Sequence, residues 1–247
     1  MRARFPLWAG RKLSPLGLAP AALGAWALAQ GPERDPLQVG LVIAFLVLSL
    51  ALHEVAHGWV ALKRGDPTAR DLGRLSLNPL VHIDPIWTVL VPLFMYWTQG
   101  FVFGGARPVP VDYHRLKHPL RDMALVAVAG PLTNLLLAAA FMLCFKASVV
   151  LLGNSVSDLQ PRVMWGAMHF NALLFVFNLI PIPPLDGSRI LAWLLPSGLR
   201  RAYVGLERVG MIAIVVLILG VPAFKVLVWA GIDATVELLD LITLRRW

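Results

Sequence analysis

The chain has 247 residues, 58% of them hydrophobic and only 15% charged, with a mean hydropathy of +0.71. A soluble domain of this size cannot cover so much apolar surface, so composition excludes a water-soluble globular enzyme and points to a polytopic helical membrane protein. The net charge of +8 would suggest a nucleic-acid partner in a soluble protein, but here the basic residues gather in segments between apolar runs, so no nucleic acid is expected.

Arg2, Arg4, Arg11 and Lys12 precede a moderately apolar run at 13–29 that contains Pro15 and Pro20. Ala27-Leu28-Ala29 before Gln30 resembles a signal-peptidase site, so a cleaved leader competes with a retained first helix. The basic start and the membrane-embedded remainder favour retention, with the N-terminus in the cytoplasm. After a polar turn at 31–38, residues 39–62 form an apolar run long enough to cross a hydrocarbon core about 30 Å thick at about 1.5 Å per residue.

Near the end of that run stands Leu52-His53-Glu54-Val55-Ala56-His57-Gly58. On a helix, His53 and His57 lie one turn apart on one face, where both imidazoles reach a single ion with Glu54 beside it. This is the H-E-x-x-H pattern of zinc peptidases. Three ionisable groups in an apolar span are costly unless they have partners and a task. The run exits at Lys63-Arg64, with Arg70 and Arg74 following, which places the histidines inside the membrane toward its cytoplasmic side.

Residues 72–80 alternate briefly and end in Asn78-Pro79, which predicts a strand or loop. His82-Ile83-Asp84-Pro85 leads into an apolar run broken by Pro92 and too short to span comfortably, so 86–100 reads as a re-entrant hairpin or a short tilted helix. Phe101-Val102-Phe103-Gly104-Gly105 and Arg107-Pro108-Val109-Pro110-Val111 predict extended segments about a glycine turn. Met123–Leu152 is a long span interrupted early by Gly130-Pro131, with Asn134 one turn on.

The run at 163–180 is apolar apart from His169, Asn171 and Asn178, and ends in Pro181-Ile182-Pro183-Pro184-Leu185-Asp186-Gly187. A last span is expected at 209–230, and the tail at 231–247 spaces apolar against acidic residues like a helix lying at the interface. On this topology sixteen Lys and Arg fall on the cytoplasmic side and three, Arg34, Lys146 and Arg162, outside. The expected architecture is an all-α polytopic membrane protein of about five to six transmembrane helices, with a re-entrant hairpin and short extended segments near the active site. It forms one membrane-embedded domain over 1–247, with its catalytic core at about 39–190.

A catalytic zinc usually takes three protein ligands and keeps a position for water. Beyond His53 and His57 the candidates are Asp186, Asp84, His82 and His169. Asp186 is best placed, since its helix ends at the depth of the two histidines and the prolines before it free the backbone to turn the carboxylate inward. Asp84 fits a turn or capping role better than ligation, and His82 and His169 fit structural hydrogen bonding.

His53-Glu54-x-x-His57, then Gly130-Pro131-Leu132-Thr133-Asn134, then Asn178-Leu179-Ile180-Pro181-Ile182-Pro183-Pro184-Leu185-Asp186-Gly187 together resemble the site-2 protease family of intramembrane zinc metalloproteases. Asn78-Pro79-Leu80-Val81-His82-Ile83-Asp84-Pro85 and Arg107-Pro108-Val109-Pro110 look like the compact bacterial branch of that family, without a PDZ or CBS domain. The resemblance implies that His53, His57 and Asp186 hold one Zn²⁺ per chain, that Glu54 is the catalytic base, and that Asn178 positions substrate or stabilises the oxyanion. Asn134 and Asn171 fit either a functional role or hydrogen bonds between helices.

The implied activity is hydrolysis of peptide bonds in or near transmembrane segments of protein or peptide substrates, in a bacterial inner membrane. A substrate helix has to unwind, and the extended segments at 75–77 and 101–111 are candidate edges for it to pair with. The rival from another class is a non-catalytic membrane protein that binds or transports metal. A transporter needs further ionisable residues along its spans, and a histidine-box desaturase needs several more clustered histidines.

Overall fold

The computed structural model describes residues 36–82, 84–85, 90 and 107–243. Its helices are α1 (Pro36–Lys63), α2 (Thr68–Asp71), α3 (Pro119–Val150), α4 (Leu159–Asn178), α5 (Asp186–Leu194), α6 (Ser197–Gly205), α7 (Glu207–Gly220) and α8 (Pro222–Ile242), with 3-10 turns at Pro79–His82 and Tyr113–Arg115. No strand occurs among the described residues. The protein is all-helical and integral to the membrane, with α1 and α3 each long and apolar enough to cross it. α6 and α7 form a third candidate span, bent by 72° at their junction. The helix expected at 13–29 and nearly all of the hairpin expected at 86–100 lie outside the described residues.

The core is built from two ridges of residues spaced by four. Asp122, Val126, Gly130, Asn134, Ala138, Met142 and Lys146 are all buried on α3, and Ser49, His53, His57 and Ala61 are buried on α1. A spacing of four keeps side chains on one helix face, and ridges of this kind interdigitate where two helices pack. Gly130-Pro131 does not interrupt α3, which runs on with Pro131 inside it. The ring costs one backbone hydrogen bond, and packing on both sides of it holds the helix together.

α4 is the central helix, packed against α1, α3 and α8. Its 20 residues would reach about 30 Å. Arg162, His169, Asn171 and Asn178 nevertheless keep it below the hydropathy of a lipid-facing span. Asn171 finds partners on α1 and α3, while His169 and Asn178 bond carbonyls of α4 itself, so the helix need not look apolar. The segment at 72–80 forms bends and a 3-10 turn, and residues 107–112 form neither helix nor strand.

The C-terminal region divides differently from the expected 209–230 span and 231–247 tail. The break falls at Val221, whose backbone is extended, and Pro222 opens α8, which continues unbroken past Gly231. Proline at the first helical position loses no helical hydrogen bond, so a new helix starts there readily. α8 packs Val228 and Ile232 against Ala172 of α4, and Leu239 joins Met142 and Met168. Lys146, counted on the outer side of the expected span, is buried on α3 with its Nζ 2.7 Å from Oδ1 of Asp240 and 3.0 Å from that residue's carbonyl. Lys146→Met leaves Asp240 without its cation and is expected to destabilise the fold by about 1–3 kcal/mol. The double variant with Asp240→Leu is expected to recover most of the loss, as read by thermal unfolding in detergent.

Candidate metal centre

Three side chains from two distant stretches of chain meet beneath α3. His53 and His57 stand one turn apart on α1, their rings edge to face with centroids 4.6 Å apart. Their Nε2 atoms are 3.0 Å apart, and Oδ2 of Asp186 lies 3.4 Å from the first and 3.3 Å from the second. Four ligands held tetrahedrally at about 2.0–2.1 Å from a zinc ion stand about 3.3–3.4 Å from one another. The observed triangle is close to that size.

Hydrogen bonding fixes which ring nitrogens face inward. Nδ2 of Asn171 donates to the carbonyl of Ala167 and to Oγ of Ser49, whose own hydroxyl donates to the carbonyl of Phe45. Oδ1 of Asn171 therefore accepts from Nδ2 of Asn134, and Oδ1 of Asn134 is left facing Nδ1 of His53 at 2.5 Å. Nδ1 of His57 lies 2.7 Å from the carbonyl of Val126. A carbonyl only accepts, so both histidines carry a proton on Nδ1, and as neutral imidazoles they present their lone pairs at Nε2. Oδ2 of Asp186 is buried without a hydrogen-bond partner.

With both rings neutral, three lone-pair atoms converge in a buried site. Such a cluster is repulsive unless positive charge sits at its centre, and the donor set of two imidazoles and one carboxylate suits zinc. The packing of α3 over the pair depends on a glycine. A Cβ added to Gly130 would run into the ring edges of both His53 and His57, so only glycine allows α3 to lie over the pair.

Asp186 reaches the site because the chain reverses tightly after α4. Ile182 N–H donates to the Ile180 carbonyl and Leu185 N–H to that of Ile182, and Leu185 is extended so that Asp186 begins α5. Gly187 packs against the carbonyls of Leu179 and Ile180 with no room for a side chain. The Tyr203 hydroxyl donates to the Pro181 carbonyl at 2.8 Å, tying the turn to α6.

Of the other candidates, His82 Nε2 lies 2.9 Å from the Ser76 carbonyl, and His169 Nδ1 lies 3.0 Å from the Trp165 carbonyl. Neither these nor Asp84 belongs to the triad. Glu54, half-buried beside His53, accepts the N–H of Val109 on Oε2 at 2.7 Å. Asn178 donates one amide N–H to the Leu174 carbonyl, one turn back on its own helix. Sequence reasoning named Asn134 and Asn171 without their partners and passed over Ser49 and the Val126 carbonyl. The available signal for Ser49 was its place one turn before His53 on the same face.

Removing a group that orients a metal-binding histidine typically lowers metal affinity 10–100-fold. Asn134→Leu, which takes the acceptor from Nδ1 of His53, is expected to weaken zinc binding by about that factor in competition with a chelator. Helix content is expected to stay unchanged by circular dichroism.

The chain is similar to the candidate zinc metalloprotease YwhC of Bacillus subtilis, with 38% identity over 210 residues that span 81% of this chain and 91% of that protein. It is 34% identical over 209 residues to the candidate zinc metalloprotease Rip2 of Mycolicibacterium smegmatis, spanning 81% of this chain and 76% of Rip2. It is also 29% identical over 152 residues to stage IV sporulation protein FB of Bacillus subtilis, spanning 60% of this chain and 48% of that protein. No family model and no solved structure matches the chain. Similarity at this level over most of its length, on an all-helical membrane fold, shows that the chain belongs to the site-2 protease family of zinc metalloproteases.

Proposed function

We propose that this protein is an intramembrane endopeptidase that hydrolyses peptide bonds in or near the transmembrane segments of membrane proteins. The observation that carries this reading is the convergence of two histidine Nε2 atoms and a buried carboxylate oxygen without a hydrogen bond, beside Glu54. In this reading Nε2 of His53, Nε2 of His57 and Oδ2 of Asp186 hold one Zn²⁺. When bound there, the ion supplies Lewis acidity, bringing the pKa of water to about 7 and polarising the scissile carbonyl.

Glu54 takes the proton of the attacking water and returns it to the leaving amine. Its Oε1 does this, since Oε2 is engaged by Val109. Asn178 keeps one amide hydrogen on Leu174 and offers the second to the oxyanion that forms on the substrate. A helical substrate hides its peptide bonds, so it binds locally unwound. The site faces the cytoplasmic half of the membrane, because Lys63 and Arg64 close α1 within two turns of His57 and Lys117 N–H bonds the Arg64 carbonyl there.

The test is zinc content together with cleavage of a transmembrane peptide in detergent by purified protein. Wild type is expected to carry one zinc per chain and to cleave. Glu54→Gln is expected to retain the zinc and lose about 10²–10⁴-fold in rate, and Asp186→Ala to lose zinc and activity together. Zinc binding with no hydrolysis by the wild type would instead support a non-catalytic metal-binding or metal-transport protein.

A further inference from the structure

The reading of Glu54 as base leaves one contact without a role. Residues 107–112, neither helix nor strand, form a strap that meets α1 at the level of the H-E-x-x-H turn. Val109 is the point of contact. Its N–H donates to Oε2 of Glu54 at 2.7 Å, and its buried side chain packs over Gly58, where an added Cβ would stand only 2.9 Å from Val109 Cγ1. Glu54 and Gly58 are one turn apart, so amide and side chain engage the same face of α1.

The sequence of the strap suits this contact. Pro108 and Pro110 flank Val109, have no N–H of their own, and confine Arg107 and Val109 to extended backbone. Across these three residues the Val109 N–H is the single backbone donor, and it is spent on Glu54. Both ends are pinned. Arg107 N–H donates to the carbonyl of buried His82 at 2.7 Å, and Asp112 N–H donates to Oδ2 of Asp66 at 2.7 Å. Asp66 is itself completely buried, its Oδ1 taking both the N–H and the hydroxyl of Thr68.

We propose that the Pro108-Val109-Pro110 strap is a positioning device for Glu54, whose Val109 amide holds one carboxylate oxygen so that the other is kept ready to receive the proton. A glutamate side chain has three rotatable bonds, and fixing its head removes rotamers that cannot reach the reacting water. Misplacement of a reacting group by about 1 Å can cost about 10²-fold in rate. Val109 touches no reacting atom and acts through Glu54.

This inference rests on the peptidase reading, and two measurements on the full chain in detergent separate them. The first is hydrogen exchange of the Val109 amide, read by fragmentation mass spectrometry in wild type and Glu54→Ala. The strap predicts at least tenfold faster exchange in Glu54→Ala, and equal rates would overturn it. The second replaces the Val109 amide with an ester, which removes the N–H alone, and follows cleavage of a transmembrane peptide. A fall in kcat of about 10–100-fold is expected, with KM within about twofold and one zinc per chain retained. An unchanged kcat would overturn the proposal, and so would zinc lost in step with kcat, since the strap would then support the metal site. A wild type that binds zinc but cleaves nothing would overturn the peptidase reading, and the exchange result would still decide whether Val109 holds Glu54.

Discussion

A polar atom buried between helices in a bilayer has no water to turn to, and the line of hydrogen bonds from Phe45 through Ser49, Asn171 and Asn134 to His53 answers that constraint across α1, α4 and α3. Backbone carbonyls at Phe45 and Ala167 are fixed acceptors, so each link in the line has a single direction. The direction arrives at His53 as a proton on Nδ1 and a lone pair on Nε2. The bonds that hold the central helices together are thereby the ones that set the chemistry of the site. Removing a middle link leaves two groups unsatisfied in a dry environment, where each costs about 1–3 kcal/mol. Small residues make the arrangement possible. Gly130, Ala138 and Ala167 are buried with Asn134 and Asn171 and let the backbones approach.

Asp186 is delivered by different means. The turn from α4 to α5 places it, through close backbone contacts and the side chains packed around the turn. Gly187 sits against the Leu179 carbonyl on one side of the turn, and Gly210 of α7 sits against the Pro183 carbonyl on the other. Ile182 and Leu185 of the turn pack with Phe177, Ile214 and Ile218, while Arg189 pairs with Glu207 across the same interface. α7 therefore contributes to the metal site without lending it a ligand. A triad with two members on one helix and the third on a clamped turn can keep its geometry only while α7 stays seated.

Much of this site was legible because spacing alone determined it. His53 and His57 at i and i+4 must share a face, and the depth of Asp186 followed from the length of the run before it. What the sequence could not display was pairing. A serine in an apolar helix carries no mark of its partner, and Asn171 lies 122 residues from Ser49. Lys146 was counted among the outer-side cations, and nothing near it in the sequence pointed to its partner Asp240, 94 residues on in a segment whose acidic residues suggested an interface. Two signals were present and outweighed: Pro222 marks the start of α8 better than the loss of hydropathy after Ala230 does, and Pro131 lies in a span too well packed to break.

The extended segment at 107–111 was the harder case, because its prolines support two opposed readings. As a non-helical stretch near the site it suggests an edge for an unwound substrate. A β-ladder needs donors and acceptors alternating along the edge. Here Pro108 and Pro110 have no N–H, and those of Arg107, Val109 and Asp112 are committed to His82, Glu54 and Asp66. Val111 alone in the strap keeps an N–H free of any partner among the described residues. Such an edge offers carbonyls but almost no donors, so it supports strand addition poorly. Its hydrogen bonds run inward to α1 and its neighbouring loop, where the Val109 amide meets the Glu54 carboxylate beside His53.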